Sequence, residues 1–333
     1  MFYSIFTISV LVATFLLTVI ISHFLIPVLA SRKMGQRILE IGPRWHKNKE
    51  GTPTMGGLAF IIAAAVVLTV GCVVLSLHGD TAHLPGLILT FALAAASGLI
   101  GIVDDLAKLR KKQNEGLTAP QKFLLQLLCA GIYLFGMAWF HQIETDLYIP
   151  YFGVTWHLGP FYYAVALVLI CGVMNAVNLT DGIDGLASST VLVVGLFYGA
   201  AALLRGAENI APGAAAIAAL TVGATAGFLV YNFYPARVFM GDTGSLFLGS
   251  LVVGGAFLLG NPLIVIVCGM VFIFEDISVI LQVGYFKLTH GKRLFKMAPF
   301  HHHLEKSGWG EIRIVLTLSL VTVCLCAAAW FGL

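Results

Sequence analysis

Long apolar runs, separated by short polar connections, follow one another along the whole chain. Each run approaches the roughly 20 residues that an α-helix needs to cross the hydrocarbon core of a bilayer. The pattern predicts an all-α polytopic membrane protein with about ten transmembrane helices. The predicted spans are 4–29, 54–77, 86–103, 120–141, 160–178, 186–204, 214–232, 243–259, 262–286 and 311–332.

Composition supports this class. Hydrophobic residues make up 59% of the 333 residues and charged residues 11%, whereas a soluble domain carries about 25% charged residues. The six cysteines all fall inside apolar runs without metal-ligand spacing, so we expect neither disulfides nor a cysteine-bound metal. The chain has no fixed-period repeat, so residues 1–333 are expected to form a single domain.

The distribution of basic residues predicts the topology. Of the 19 lysines and arginines, 18 lie in alternate connections, and only Arg205 lies on the other side. Basic connections stay in the cytoplasm, so both termini are expected outside. The outer connection 142–159 carries aromatic and β-branched residues around Pro150 and Gly153. These residues predict either a small periplasmic β-hairpin or an interfacial loop with an aromatic belt.

Aspartates cluster at the ends of the apolar runs, on the basic side of the predicted membrane. Carboxylates at the border of the hydrocarbon are energetically costly, so a cluster of them indicates a functional site. We therefore expect one cytoplasmic-side active site assembled from several connections. The aspartates are Asp104, Asp105, Asp181, Asp184 and Asp242.

The segment GIVDDLAK contains Asp104 and Asp105, followed by Lys108. Adjacent helical side chains point about 100° apart, so the two carboxylates cannot hold one ion in the same way. One of them can bind metal while the other orients or deprotonates a substrate. Lys108 lies on the same helix face. The simpler alternative is a solvated helix end with a salt bridge.

Two further motifs carry acids and amides. Asn175, Asn178, Asp181 and Asp184 lie in NAVNLTDGIDGLA, where they suit hydrogen bonding to a sugar or a nucleobase. Two Asp-Gly turns, with Asp184 capping the next helix, are the alternative. Asp242 opens a helix in MGDTGS. This helix start suits hydrated magnesium and its phosphates, or Asp242 serves as the N-cap.

Two basic segments complete the candidate site. Lys49 and Thr54 precede the second span, where threonine caps the helix or the residues contact phosphate or base. His301, His302 and His303 lie in MAPFHHHLE. Three consecutive histidines cannot all face one ion on a helix, so we favour hydrogen bonds to phosphate or to a catalytic aspartate over a structural metal.

Glu275, Asp276 and Gln282 lie in the inner half of the ninth predicted span. At 1.5 Å per helical residue, Glu275 lies about 20 Å along the helix from Pro262. A polar group at that depth is costly unless the helix bends or lines a cavity. A broken helix beside a lipid groove would account for all three residues.

Six motifs between residues 52 and 305 resemble those of the phospho-N-acetylmuramoyl-pentapeptide transferase family, within the polyprenyl-phosphate N-acetylhexosamine-1-phosphate transferase superfamily. The motifs are TPTMGG, VDDLAK, NAVNLTDGIDGLA, PARVFMGDTGSL, SVILQVG and MAPFHHHLE. The last of them distinguishes this family from relatives that use UDP-N-acetylglucosamine. The predicted span count and parity are also similar.

The resemblance implies a Mg²⁺-dependent transfer of phospho-MurNAc-pentapeptide from UDP-MurNAc-pentapeptide to undecaprenyl phosphate. The products would be lipid I and UMP, in the first membrane step of peptidoglycan synthesis. The resemblance also implies a multi-pass protein of the bacterial cytoplasmic (inner) membrane. Membrane lipids would surround a homodimer, with no nucleic-acid partner.

The resemblance also implies roles for individual residues. Asp104, Asp105 and Asp242 would form the acidic centre with magnesium, with Asp104 activating the lipid phosphate and His301 joining the catalytic group. No role is implied for Asp276. The implied substrate-binding residues are Lys49, Thr54, Lys108, Lys122, Asn175, Asn178, Asp181, Asp184, Phe239, Gln282, His302 and His303.

Three alternatives remain open at this point. A direct displacement by the lipid phosphate is preferred over a covalent phospho-aspartate intermediate. A related transferase that uses UDP-N-acetylglucosamine is a second interpretation of the same motifs. An ion-coupled transporter would also carry intramembrane carboxylates, but it predicts acids near the midplane and access from both faces. Here the polar motifs share one predicted face.

Overall fold

The computed structural model describes residues 2–32, 49–111, 116–204 and 211–333. Basic residues of the predicted topology that lie outside these ranges are Lys33, Arg37, Arg44, Lys47, Lys112 and Arg205. The helices of the described residues are α1 (Phe2–Ser31), α2 (Gly57–Leu77), α3 (Leu84–Lys111), α4 (Ala119–Trp139), α5 (Phe161–Thr180), α6 (Leu186–Leu204), α7 (Pro212–Asn232), α8 (Gly241–Leu258), α9 (Ile264–Cys268), α10 (Met270–Leu288), α11 (Phe300–Glu305) and α12 (Glu311–Trp330).

Within the described ranges, nine helices are long and apolar enough to cross a bilayer. They are α1 to α8 and α12. The protein is therefore mostly helical and is an integral membrane protein, as the hydrophobic pattern predicted. For α6 the predicted and observed bounds coincide.

The side chains of α1 follow the arrangement expected in a bilayer rather than in water. Large apolar residues are exposed every three or four positions, at Ile5, Ile8, Val12, Leu16 and Ile20. The opposite face is buried and carries hydroxyl side chains, which are Thr7, Thr14, Thr18 and Ser22. Lipid is as apolar as leucine, so the protein contact selects small side chains that allow close helix packing.

Helices α7 and α8 form the centre of the bundle. Of their most apolar stretches, 83% is buried, against 28% for α1, α4 and α12. Both helices are rich in glycine, alanine and serine. At Gly223, an added Cβ would lie within 3.0 Å of the backbone of α1. Small residues thus let the backbones approach closely, and α3, α5 and α8 pack together around the site described below.

Two predicted spans differ from the observed helices. The third was predicted to end at residue 103, but α3 continues through the polar segment to Lys111. The ninth, predicted as 262–286, is broken at Gly269 into α9 and α10. The sequence also suggested a broken helix beside a lipid groove in this region. The break is confirmed, and the groove stays a prediction.

A small antiparallel hairpin follows α4, which is one of the two alternatives that the sequence left open. Strand β1 (Asp146–Ile149) pairs with β2 (Val154–His157), with Asp146 opposite His157 and Ile149 opposite Val154. The Tyr151 hydroxyl donates a 3.0 Å hydrogen bond to the Ala328 carbonyl at the end of α12. The hairpin therefore lies at the end of the bundle where α4 and α12 finish, opposite to the polar motifs.

Candidate active site

Three aspartates from separate parts of the chain meet at one end of the bundle. Asp104 and Asp105 lie near the end of α3, and Asp242 lies in the first turn of α8. One carboxylate oxygen from each residue lies within 4.8 Å of the others. Asp104 and Asp105 are buried and Asp242 is half-buried. The predicted convergence of distant acidic motifs is thus present in the structure.

Two lysines balance this negative charge. Lys108 Nζ lies 2.7 Å from Asp104 Oδ2 and 3.1 Å from Asp242 Oδ2. Lys122, in the first turn of α4, donates to the same Asp242 oxygen at 2.7 Å. Lys108 follows Asp104 by four residues and therefore shares its helix face. Buried carboxylates need such partners, because leaving one charge unpaired there is strongly destabilising.

Asp105 has a different environment from the other two carboxylates. Its Oδ2 accepts hydrogen bonds from the backbone N–H and the hydroxyl of Thr243, at 3.0 and 2.7 Å. Its Oδ1 accepts from the Asp242 N–H at 3.2 Å. Asp105 therefore caps α8 from the neighbouring helix, satisfying N–H groups that have no partner within α8.

The alternative in which Asp242 is itself the N-cap is wrong. Helix α8 begins at Gly241, with Met240 in the N-cap position, and the Met240 side chain makes no capping hydrogen bond. Asp242 lies inside the first turn, and its carboxylate points to Lys108 and Lys122. Capping of α2 by a threonine is wrong as well, because its N-cap is Gly56.

Asn178 links the acidic centre to α5. Its amide donates to Asp242 Oδ1 at 3.2 Å and to Ser245 Oγ at 2.7 Å, and its oxygen accepts from Lys122 at 3.1 Å. Asn175 lies one turn earlier and exchanges two hydrogen bonds with buried Gln126, at 2.8 and 3.1 Å. Asn178 thus belongs to the acidic centre, whereas Asn175 joins α5 to α4.

A second polar cluster lies around Lys49. Its Nζ contacts Asp184 Oδ1 at 2.7 Å and Glu311 Oε2 at 2.6 Å. The Asp184 N–H donates to the same Glu311 oxygen at 3.1 Å, and Asp184 Oδ2 accepts from the Ala236 N–H at 2.9 Å. Four segments distant in sequence are therefore fastened together, and the Asp184 carboxylate serves this cluster.

Glu311 is the residue of this cluster that the motifs missed. Its carboxylate lies in the first turn of α12, where an acid is favourable for any helix. Because helix-dipole stabilisation already explains an acid at this position, there was little reason in the sequence to assign Glu311 to a site. The one indication of a functional role was its position between Lys306 and Arg313 in a basic connection.

We expect Glu311→Gln to loosen the Lys49 cluster, because Lys49 keeps only one of its two carboxylate partners. A hydrogen bond to a charged group contributes about 2 kcal/mol, so the midpoint of thermal unfolding should fall in detergent. The matched control is Glu50→Gln, because Glu50 is exposed and adjacent to Lys49. An equal fall in both variants would contradict the contribution of Glu311.

The three histidines turn to three different partners. The His301 ring Nδ1 lies 3.2 Å from Glu275 Oε2, and His302 Nδ1 lies 2.6 Å from Glu305 Oε2. His303 Nδ1 accepts from the Lys296 N–H at 3.1 Å, and its ring stacks on another aromatic ring of α11. The three Nδ1 atoms therefore contact different groups, although the ring centroids of His301 and His302 lie 4.1 Å apart.

The remaining predicted residues support the connections around the acidic centre. Phe239 N–H donates to the Pro53 carbonyl at 2.8 Å, which joins the segment before α8 to the segment before α2. Thr54 is buried in this second segment, with its hydroxyl beside Gly241. Gln282 Oε1 accepts from the Phe295 N–H at 2.8 Å and so holds the connection that leads to α11.

Asp181 follows the last residue of α5 and lies close to the acidic centre. Loss of solvation raises the pKa of its carboxyl well above the ordinary value, and the negative charges of Asp242, Asp105 and Asp184 raise it further. Asp181 therefore keeps its proton to a higher pH than an exposed aspartate. In that form it can donate a hydrogen bond to an oxygen of a ligand.

The fold and the site define a membrane-embedded transferase class. The sequence profile of glycosyl transferase family 4 matches residues 87–260, which include Asp104, Asp105 and Asp242. A second profile, the phospho-N-acetylmuramoyl-pentapeptide-transferase signature 1, matches residues 49–61.

Curated relatives identify the particular family. The chain is 45% identical over 332 residues to the phospho-N-acetylmuramoyl-pentapeptide-transferase of Clostridium novyi (strain NT), covering 99% of this chain and 97% of the relative. It is 47% identical over 293 residues to that of Heliobacterium modesticaldum, covering 87% and 86%. The chain therefore belongs to the phospho-N-acetylmuramoyl-pentapeptide-transferase family of enzymes.

Proposed function

We propose that the protein transfers phospho-MurNAc-pentapeptide from UDP-MurNAc-pentapeptide to undecaprenyl phosphate. The products are lipid I and UMP, and the reaction is the first membrane step of peptidoglycan synthesis. The observation that carries this proposal is the centre of three aspartates and two lysines at one end of a transmembrane bundle. Such a centre lies where a soluble nucleotide-sugar and a lipid phosphate can both reach it.

The acidic centre also fits a magnesium ion. Mg²⁺ prefers oxygen ligands and is commonly held by one or two carboxylates together with substrate phosphates. Asp104, Asp105 and Asp242 offer three carboxylate oxygens within 4.8 Å of one another. Bound there, the ion would neutralise negative charge on the diphosphate and on the leaving UMP. Asp104 and Asp242 are the stronger candidates, because lysine side chains that could turn to the substrate phosphates are among their partners. All three donors to Asp105 lie in the first turn of α8.

The chemistry requires positioning and charge neutralisation more than a protein nucleophile. An oxygen of the lipid phosphate attacks the sugar-bound phosphorus, the bond from this phosphorus to the UMP oxygen breaks, and UMP leaves. Lys108 and Lys122 bring two positive charges to this point. Asp104 orients the lipid phosphate, and Asn178 fixes the Asp242 carboxylate. One phosphoanhydride replaces another, so the reaction is reversible.

The second cluster suits the nucleotide-sugar. We assign donor binding to Lys49, Asp181 and Asp184, because they offer a cation, a carboxyl group whose pKa is raised by burial, and a fixed turn. Thr54, Phe239, Gln282, His302 and His303 line or support the surrounding connections. Asn175 acts through its pair with Gln126, which positions α5.

The topology follows from the same proposal. We place the acidic centre at the cytoplasmic face of the bacterial inner membrane, because the described basic residues gather at that end of the helices. Helices α9 and α10 together then supply one crossing, which gives ten crossings with both termini outside. Residues 1–333 act as one domain, and two copies form a homodimer surrounded by membrane lipids.

The test is a reconstituted reaction. Purified protein in detergent with undecaprenyl phosphate, UDP-MurNAc-pentapeptide and Mg²⁺ should release UMP, and chelation of the metal should stop the release. Omitting the lipid phosphate is the control for hydrolysis. Absence of UMP from the complete mixture would reject the proposal. If UMP were released with UDP-N-acetylglucosamine as donor but not with UDP-MurNAc-pentapeptide, the protein would still be a transferase, but its donor would be UDP-N-acetylglucosamine.

A further inference from the structure

Glu275 and His301 form a buried pair, of which the predicted site includes His301 but not Glu275. Glu275 is 1% exposed and His301 is fully buried. The Glu275 carboxylate accepts the backbone N–H of His301 at 3.1 and 3.2 Å and lies 3.2 Å from its ring Nδ1. One carboxylate on α10 therefore holds both the start of α11 and the orientation of the imidazole ring.

The other ring nitrogen of His301 faces the acidic turn between α5 and α6. Among the described residues, no atom forms a hydrogen bond with this buried Nε2. A Cβ added at Gly182 would collide with Nε2, and it would lie 2.6 Å from the neighbouring ring carbon. Gly182 lies between Asp181 and Asp184. The ring therefore presents a polar atom to this turn, at a position where glycine leaves room for it.

The pairing decides which ring nitrogen carries the proton. A carboxylate only accepts hydrogen bonds, so Nδ1 must be the donor in the contact with Glu275. This holds for the neutral ring and for the charged ring alike. Any change of hydrogen-bonding partner then takes place at Nε2. Carboxylates orient metal-bound histidines by the same arrangement.

We propose that Glu275 is a positioning residue, which keeps the Nδ1 proton on His301 and directs Nε2 to the sugar-diphosphate substrate at the turn 181–185. The proposal rests on the proposed function, and it adds a residue outside the predicted site. It also accounts for a carboxylate placed within a predicted span, since Glu275 has partners on α11. The adjacent Asp276 is half-buried and has no part in the pair.

A double-mutant cycle tests whether Glu275 acts through His301. In Glu275→Gln, the amide oxygen can still accept the His301 backbone N–H, while the amide N–H₂ donates to Nδ1 and moves the ring proton to Nε2. We expect kcat for UMP release to fall about 10- to 100-fold, with Asp276→Asn close to wild type as the matched control. In a His301→Gln background, Glu275→Gln should cause no further fall. Falls that multiply in the double variant, or an unchanged kcat in Glu275→Gln, would overturn the proposal.

A spectroscopic measurement tests the same proposal without activity. In protein labelled with ¹⁵N-histidine, the His301 resonances are those that disappear in His301→Gln. Their shifts should report a protonated Nδ1 in the wild-type protein, and a bare Nδ1 there would refute the proposal even if Glu275→Gln does not fold. If the wild-type protein released no UMP, the proposed reaction would fail, while this spectrum would still decide whether Glu275 fixes the ring.

Discussion

Replacing Asp242 by asparagine should lower kcat/KM for UMP release by about 10³-fold, a size typical for the loss of one preorganised electrostatic group. Such a loss corresponds to about 4 kcal/mol of transition-state stabilisation. Asp242 Oδ2 accepts from both Lys108 and Lys122, and Oδ1 accepts from Asn178. Asparagine keeps the size of the side chain but removes the charge that organises these groups. It also removes one candidate magnesium ligand.

The measurement is the initial rate of UMP release by the purified variant at saturating Mg²⁺. Size-exclusion chromatography and the thermal midpoint show whether the variant remains folded. Asp146→Asn is the matched control, because Asp146 lies in the hairpin at the other end of the bundle and pairs only with exposed His157 among the described ion pairs. Activity of Asp242→Asn within a few-fold of wild type would remove Asp242 from the reaction centre.

The helices were largely predictable because they depend mainly on the residues of one continuous segment. A run of about 20 apolar residues must pair its backbone groups internally in lipid, and a helix is the means available to a single segment. The predicted end of the third span was wrong for a related reason. Polarity marks where a chain leaves the lipid, whereas α3 remains helical through Asp104, Asp105 and Lys108 into the polar region.

The break at Gly269 shows what a polar residue within an apolar run can indicate. A carboxylate at the depth of Glu275 would be energetically costly in a straight span. The observed helix is interrupted six residues before it. The sequence could not name the partner, because His301 lies 26 residues further along the chain. Partners of this kind depend on how helices pack, which a single sequence does not reveal.

In the candidate site too, local sequence identified residues, whereas their roles depend on partners that are distant along the chain. Motifs identified the acids that converge, because carboxylates at a membrane border have few uses other than function. They did not identify which acid does what. Asp105 and Asp104 are neighbours with the same chemistry, yet one caps α8 and the other pairs with Lys108. Gln126 and Glu311 escaped notice because each belongs to an ordinary helical sequence until its partner is known.

Gly101→Ala should disrupt the acidic centre by pushing α3 away from the first turn of α8. Gly101 lies one turn before Asp104 and Asp105 on α3, and an added Cβ would overlap the Asp242 carbonyl group and the Thr243 nitrogen. These are backbone atoms of the first turn of α8, so no side-chain rotation can relieve the contact. Helices α3 and α8 must then separate, and the hydrogen bonds from α8 to Asp105 must lengthen.

We expect Gly101→Ala to destabilise the protein by about 2 kcal/mol. Overpacking costs about 3 kcal/mol at its upper range, and replacing glycine within a helix returns about 1 kcal/mol. The rate of UMP release should fall by more than the loss of folded protein explains, because separation of the helices moves Asp104 and Asp105 away from Asp242. The thermal midpoint and the rate of UMP release, measured on the same preparation, give the two values.

Gly131→Ala supplies the matched comparison, because it makes the same substitution within α4 and its added Cβ would meet no atom within 4 Å. This variant should keep full activity and gain up to about 1 kcal/mol in stability from helix propensity alone. The difference between the two alanines then isolates the contact between α3 and α8. If Gly101→Ala behaved like Gly131→Ala, the close approach of these helices would not hold the acidic centre together.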